Sequence, residues 1–289
     1  MVLAVPSKKL LAIKGISDAK CEKILECARQ LKPVGFLSGS DFLLASTRAR
    51  VRITTGSKEL DRVLGGGIET GSVTEFFGEF RCGKTQIAAT LAVTCQLARE
   101  DGGAAGKVLI MDTENAFRPE RIAEIATKRY GLDGNMVLDN VLIARCHNHE
   151  QQCEMLQAVA AKITDAAEPF KLLVVDSIMG LFRVEFAGRG ELSERQQKLG
   201  QHVRELVKIA AEFNVAVVVT NQVTADPGNM FVADAKKPIG GNLLAHYVHT
   251  RVYLKKGKGN QRIAKIYAGP LPEEDATFAI TEGGICDVE

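Results

Sequence analysis

Eight consecutive residues, Gly78-Glu79-Phe80-Arg81-Cys82-Gly83-Lys84-Thr85, fit the spacing G-x-x-x-x-G-K-[ST]. Between a strand and a helix, such a loop turns backbone N–H groups and a helix N-terminus toward a phosphate. Lys84 would then neutralise β/γ-phosphate charge, and the Thr85 hydroxyl would ligate Mg²⁺. Gln86 follows in the first helical turn. Cys82 reads as a small side chain rather than an activated thiol. The apolar run Leu172-Leu173-Val174-Val175 ends in Asp176, placed to hold the metal through water, with Ser177 beside it to assist. Another run, Leu109-Ile110-Met111, ends in Asp112-Thr113-Glu114. A carboxylate there could orient and deprotonate an attacking water, and Glu114 is the candidate base. The run 215–219 leads to Thr220-Asn221-Gln222, whose amide could sense a γ-phosphate and report its loss to the next segment.

Two segments without regular pattern follow these strands. The first, 182–191 and on to Arg195, mixes Arg183, Phe186 and Arg189 with glycine. Flexible arginines and an aromatic ring suit a single nucleic-acid strand, through phosphate pairing and base stacking. The second, 223–241, carries Lys236 and Lys237 and is too long for a plain connection. Residues 236–265 hold eight Lys/Arg and no Asp/Glu. The net charge of 37 − 35 = +2 predicts no polyanion partner by itself; this local concentration does.

Such chemistry needs a rigid scaffold. With 289 residues, 46% apolar and 25% charged, the chain has ordinary globular composition, which excludes a disordered or collagen-like protein. Apolar runs are only strand-length, so no membrane span and no signal peptide are expected. Seven cysteines without a C-x-x-C pair suggest a reduced, intracellular protein with no zinc site. Strand patterns at 72–77, 107–112, 141–144, 172–176 and 215–221 alternate with helical patterns at 84–98, 119–128, 150–163 and 191–213. Continuous apolar strands alternating with helices predict an α/β core with a mostly parallel sheet covered on both faces. Strand patterns at 250–254, 263–267 and 277–280 follow without helices and predict an antiparallel extension.

Three regions emerge. Residues 1–32 read as a partial helix-hairpin-helix segment, its helix capped by Ser17 after the Gly15 turn. Its turn could offer N–H groups to DNA phosphate, although the segment alone favours plain helical packing. Residues 33–52 read as a linker without helical or strand period, and 53–289 as the core. A short helix should open at Thr54-Thr55-Gly56-Ser57 and close at Gly65-Gly66-Gly67.

GEFRCGKTQ (78–86), FRPER (117–121), DSIMGLFRVEFAGRGELSERQQKL (176–199), NVAVVVTNQ (214–222), KKPIGGN (236–242) and ATFAITEGGI (276–285) stand in this order. On these motifs nearly the whole chain resembles the eukaryotic RecA-type DNA strand-exchange recombinases, in wording nearest their meiosis-specific branch. The resemblance implies a RecA-like P-loop ATPase fold, ATP and Mg²⁺ as cofactors, and a nuclear location. It implies single- and double-stranded DNA, further copies of the chain in a filament or ring, and recombination mediators as partners. The implied activity is DNA-dependent ATP hydrolysis with strand exchange. The alternative is a recombinase-like ATP-binding assembly factor that supports filaments without exchanging strands.

Residue by residue, the resemblance implies ATP binding by Gly78 to Gln86, adenine stacking by Arg121, water activation by Glu114 and γ-phosphate sensing by Gln222. Thr85 and Asp176 would hold Mg²⁺, the latter through water. Arg183, Phe186, Arg189 and Arg195 would form a first DNA loop and 223–238 a second, with Lys236 and Lys237 on it. Arg81 and Arg262 would be further DNA-facing cations. Phe36 and Gly39 would join neighbouring subunits, and Tyr267 and Pro270 would cover a neighbour's nucleotide. Departures from the family pattern stand at Asn115-Ala116, where Gly-Thr is usual, and at Ala268-Gly269, where Asp-Ser is usual. Gly39 stands where Ala is usual, at a cost of about 1 kcal/mol for the lost methyl.

Overall fold

The computed structural model describes residues 7–31, 35–186, 188, 190–225 and 236–288. It divides into two units, Met1–Ala49 and Arg50–Glu289. The first contains α1 (Ser7–Leu11), α2 (Asp18–Leu31) and α3 (Gly39–Ala49). Ser17 Oγ accepts the Lys20 N–H at 3.5 Å at the start of α2, as the sequence suggests. Helix α3 lies where a patternless linker is expected. Its start is written in Ser38-Gly39-Ser40-Asp41: Ser38 Oγ accepts the Asp41 N–H at 3.0 Å and donates to Asp41 Oδ2 at 2.6 Å. Phe42, Leu43 and Leu44 all stay exposed within this unit, so the helix carries no clean apolar stripe to betray it.

The second unit begins with β1 (Arg52–Ile53), α4 (Lys58–Val63), β2 (Ile68–Glu69), β3 (Val73–Gly78), α5 (Lys84–Thr94), β4 (Lys107–Asp112), α6 (Pro119–Tyr130) and α7 (Gly134–Asp139). It continues with β5 (Val141–Arg145), α8 (His149–Asp165), β6 (Phe170–Asp176), α9 (Gly180–Glu185), α10 (Leu192–Phe213) and β7 (Ala216–Asn221). It ends with β8 (Val223–Ala225), β9 (Lys236–Pro238), α11 (Gly241–Tyr247), β10 (Thr250–Lys256), β11 (Gln261–Ala268), β12 (Asp275–Thr281) and β13 (Gly284–Asp287). Among the described residues nine strands form one sheet in the order β13-β12-β11-β10-β3-β7-β6-β4-β5. Pairing is parallel from β10 to β5 and antiparallel from β10 to β13. This is the α/β architecture that the strand pattern predicts.

Side chains alternate across the strands. Leu172 and Val174 join Ile87, Leu91 and Ile122 on one face, while Leu173 and Val175 join Leu199, Val203 and Leu206 on the other. The inner parallel strands β3, β4, β6 and β7 are therefore dry on both faces, which is why most of them read as unbroken apolar runs, while β5 at the edge leaves Leu142 and Ile143 exposed. Four details differ from expectation. Helix α5 stops at Thr94, its chain ending through i→i−3 bonds from Gln96 and Leu97. Residues 180–185 are helical, and β8 pairs with β9 at the base of the second segment. A fourth antiparallel strand, β13, follows the turn at Gly283-Gly284.

His202 on α10 is buried in the second core, and burial lowers its imidazole from 6.5 to about 4. Its unfolded form therefore takes up a proton near pH 6.5 while the folded form resists, so stability falls as pH drops. Between pH 7 and pH 5 this group alone is expected to cost about 2 kcal/mol. Urea unfolding at the two pH values should show that loss in the wild-type chain and a shallower one in His202→Leu.

Candidate nucleotide and nucleic-acid site

The candidate residues converge on the carboxyl ends of β3, β4, β6 and β7, where ligands of open α/β sheets bind. Register makes this so: Asp112 lies beside Asp176, and Phe77 beside Asn221. The loop 78–85 leaves β3 and enters α5 through Gly83, whose φ of 107° suits glycine and which gives the helix no side-chain cap. The first turn of α5 thus keeps N–H groups for an anion. A Cβ on Gly78 would lie 2.3 Å from Leu254 O and 2.8 Å from Cys82 Sγ, so the turn is too tight for any side chain there. Lys84 Nζ donates to the carbonyls of Gly78 at 2.9 Å and Glu79 at 2.8 Å. Cys82 is buried, and burial pushes its thiol up against the opposing pull of Lys84. It is an unactivated small side chain.

Thr85 Oγ1 donates to Asp176 Oδ2 at 2.8 Å, and Thr220 Oγ1 to Asp176 Oδ1 at 2.5 Å. Burial raises the Asp176 carboxyl above its ordinary value, opposed by these two hydroxyls. A hydroxyl and a buried carboxylate side by side are the donor set a Mg²⁺ ion takes, and the glycine loop is a cradle of phosphate size; ATP with Mg²⁺ fits these residues. A cleft of about 720 Å³ runs along the loop to Glu114, Gln222 and Arg262.

Glu114 Oε1 accepts from Ser177 Oγ at 2.6 Å and from Gln222 Nε2 at 3.0 Å. Ser177 therefore serves the carboxylate of Glu114 rather than the metal position foreseen for it. Asp112 holds the turn: its carboxylate accepts the N–H groups of Glu114, Ala116 and Phe117 at 3.1–3.2 Å. At the Asn115-Ala116 departure Asn115 stands at φ 54°, a left-handed conformation that asparagine tolerates better than most side chains, so the turn keeps its shape without the usual glycine. Arg121 donates to Gln86 Oε1, Glu124, Thr281 O and Glu282 O, joining α6 to α5 and the β12–β13 turn.

Arg183 on α9 is exposed, and its Nη1 donates to Gln222 Oε1 at 3.4 Å. Phe186 is not the free stacking ring that its neighbours suggest. It is 8% exposed, packs its ring 4.8 Å from that of His149, and lies under Lys198. Glu185 explains this: it accepts the backbone N–H of His149 at 2.7 Å and bonds the His149 ring, which draws the end of α9 against α8. Arg195 is half-buried, and its Nε has no hydrogen-bond partner among the described residues. Arg189 and most of the second segment, 226–235, lie outside the described residues.

Lys236 pairs with Glu79 at 2.9 Å, bringing the base of the second segment to the phosphate loop, and Lys237 is exposed on β9. Arg262 donates to Arg81 O at 3.3 Å, and the Arg81 guanidinium lies 5.3 Å from the Phe80 ring centre. Tyr267 stands edge-on to Phe77 at 5.0 Å, and Pro270 is exposed beyond it. In the first unit, Phe36 is fully exposed and Gly39 begins α3.

A mostly parallel sheet with a phosphate loop after β3, an acid at the end of β6 and an acid–amide pair just past β4 and β7 defines a P-loop fold of RecA-like build. The chain belongs to the Rad51 family, whose sequence profile matches residues 47–288. It is 56% identical over 284 residues to "Meiotic recombination protein DMC1 homolog A" of Oryza sativa subsp. japonica, covering 98% of this chain and 81% of that one. It is 56% identical to the "Meiotic recombination protein DMC1/LIM15 homolog" of Mus musculus and 55% to that of Homo sapiens, each over 98% of this chain and 83% of the relative.

Proposed function

We propose that this chain is an ATP-dependent DNA recombinase of meiotic type. It would assemble with further copies of itself on single-stranded DNA, pair that strand with homologous duplex, and use DNA-dependent ATP hydrolysis to permit release. Family membership and the names of the relatives support the class; recombination mediators and a nuclear site of action belong to the same reading. The observation that carries it furthest is Gln222, which donates to Glu114 on one side and accepts from Arg183 on the other. One amide thus touches both the proposed base and the first DNA-facing segment, so each can report to the other.

Gly78 to Gln86 would cradle the phosphates, Lys84 supplying the cation, and Thr85 with Asp176 would hold Mg²⁺. When bound, the metal supplies charge neutralisation at the transferred phosphate. Glu114, exposed at the mouth of the cleft and oriented by Ser177, would take the proton of the attacking water. Arg121 would face the adenine, and Arg183, Arg189, Arg195, Lys236, Lys237 and Arg262 the nucleic acid.

Turnover measured with and without single-stranded DNA, alongside electron microscopy, tests the proposal; no DNA stimulation and no assembly would overturn it. The arginines have a sharper test. In an Arg183→Ala/Arg189→Ala/Arg195→Ala variant, oligonucleotide affinity should fall alike for all sequences. Its salt slope should shrink by about 0.7 per lost contact. An unchanged slope would place the DNA elsewhere.

A further inference from the structure

Glu75 lies in the middle of β3, three residues before the phosphate loop and outside every motif above. It is fully buried, as is Asn221, and Arg251 on β10 is 3% exposed. A carboxylate survives in such a place only when fully partnered. Register sets Arg251 beside Glu75 on the neighbouring strand, and Arg251 Nε donates to Glu75 Oε2 at 2.5 Å. On the other side Asn221 Nδ2 donates to Glu75 Oε1 at 2.7 Å.

Asn221 spends both of its amide N–H donors. Its amide nitrogen also donates to Ile239 O at 2.6 Å, and its Oδ1 accepts the N–H of Gln222 at 2.8 Å. Ile239 N–H in turn bonds Gln222 O at 3.0 Å. One side chain therefore fixes both the backbone of Gln222 and the point where the chain returns from the second DNA-facing segment.

Arg251 carries the connection outward. Its guanidinium lies 5.6 Å from the Phe77 ring centre and 5.7 Å from that of Tyr267, in cation–π range of both. Its backbone pairs with Ala268 at the end of β11, just ahead of Gly269 and Pro270. Its Nη2 has no hydrogen-bond partner among the described residues, so the two rings are what orient that end.

We propose that Glu75 is a positioning residue. Through Asn221 it sets Gln222 and the return of the second segment, and through Arg251 it sets Tyr267, so that these three places move as one. The inference rests on the functional reading above, in which Gln222 serves the nucleotide and Tyr267 meets a neighbouring copy. A buried ion pair kept only for packing would tie no such places together.

The test uses Glu75→Gln and Asn221→Ala in the full chain. Asn221→Ala leaves the Glu75–Arg251 pair whole, so it serves where Glu75→Gln does not fold. Turnover with single-stranded DNA should fall about tenfold while KM for ATP stays within about twofold, because the phosphate loop is untouched. A second readout does not depend on turnover. The chain has no tryptophan, so Tyr267→Trp introduces a sole indole beside Arg251. Its emission should change when a single-stranded oligonucleotide is added with ATP and Mg²⁺, and the change should be lost in Tyr267→Trp/Asn221→Ala. Equal emission changes in the two backgrounds, or wild-type DNA stimulation in both single variants, would overturn the proposal. A wild-type chain without DNA-dependent turnover would instead overturn the functional reading, and this inference with it.

Discussion

Lys84→Ala is expected to abolish nucleotide binding at micromolar protein. The ammonium sits at the mouth of the loop, donating to the carbonyls of Gly78 and Glu79. From there it need only turn to meet a phosphate. Each charge-assisted hydrogen bond is worth about 1.5–3 kcal/mol, and an ammonium has three donors, so affinity should fall at least about a hundredfold. Lys84→Arg separates charge from shape. The planar guanidinium keeps the cation but cannot occupy a point-charge site between two carbonyls and a tight turn. It should retain partial binding and lose turnover. Fluorescent nucleotide titration and phosphate release measure the two quantities; normal hydrolysis by Lys84→Arg would remove this lysine from the mechanism.

How much of this was legible beforehand follows from where each property resides. The phosphate loop could be read because its chemistry is carried by backbone N–H groups and by glycines that no other residue replaces, such as Gly78 and Gly83. The strands could be read because a sheet covered on both faces demands unbroken apolar runs. Asp176 and Glu114 were legible as acids at the ends of such runs. Their partners were not. Ser177 turns to Glu114, and Phe186 turns inward, through groups distant in sequence: Glu114 itself in one case, His149 held by Glu185 in the other. Glu75 gave no sign at all. A lone acid in a strand pattern acquires meaning only when register sets Arg251 beside it and brings Asn221 within hydrogen-bond reach.

Glu114→Gln should keep nucleotide affinity and lose hydrolysis. The substitution tests basicity almost alone, because the position is fixed by other groups. Asp112 holds the turn through three backbone N–H groups, and the acceptor oxygen that meets Ser177 and Gln222 survives in an amide. A glutamine has no proton affinity to offer an attacking water, so turnover should drop by about 10²–10⁴, the usual contribution of a positioned base. If hydrolysis permits release, complexes of this variant with ATP and single-stranded DNA should outlast those of the wild type by a comparable factor. Phosphate release and the decay of filaments after dilution read the two effects separately. Turnover within a factor of about two of wild type would show that another group takes the proton, since loss of a general base costs at least about a hundredfold. Slow turnover without longer-lived complexes would instead uncouple hydrolysis from release, and the Glu114–Gln222–Arg183 contact would then be a fixture of the fold rather than a switch.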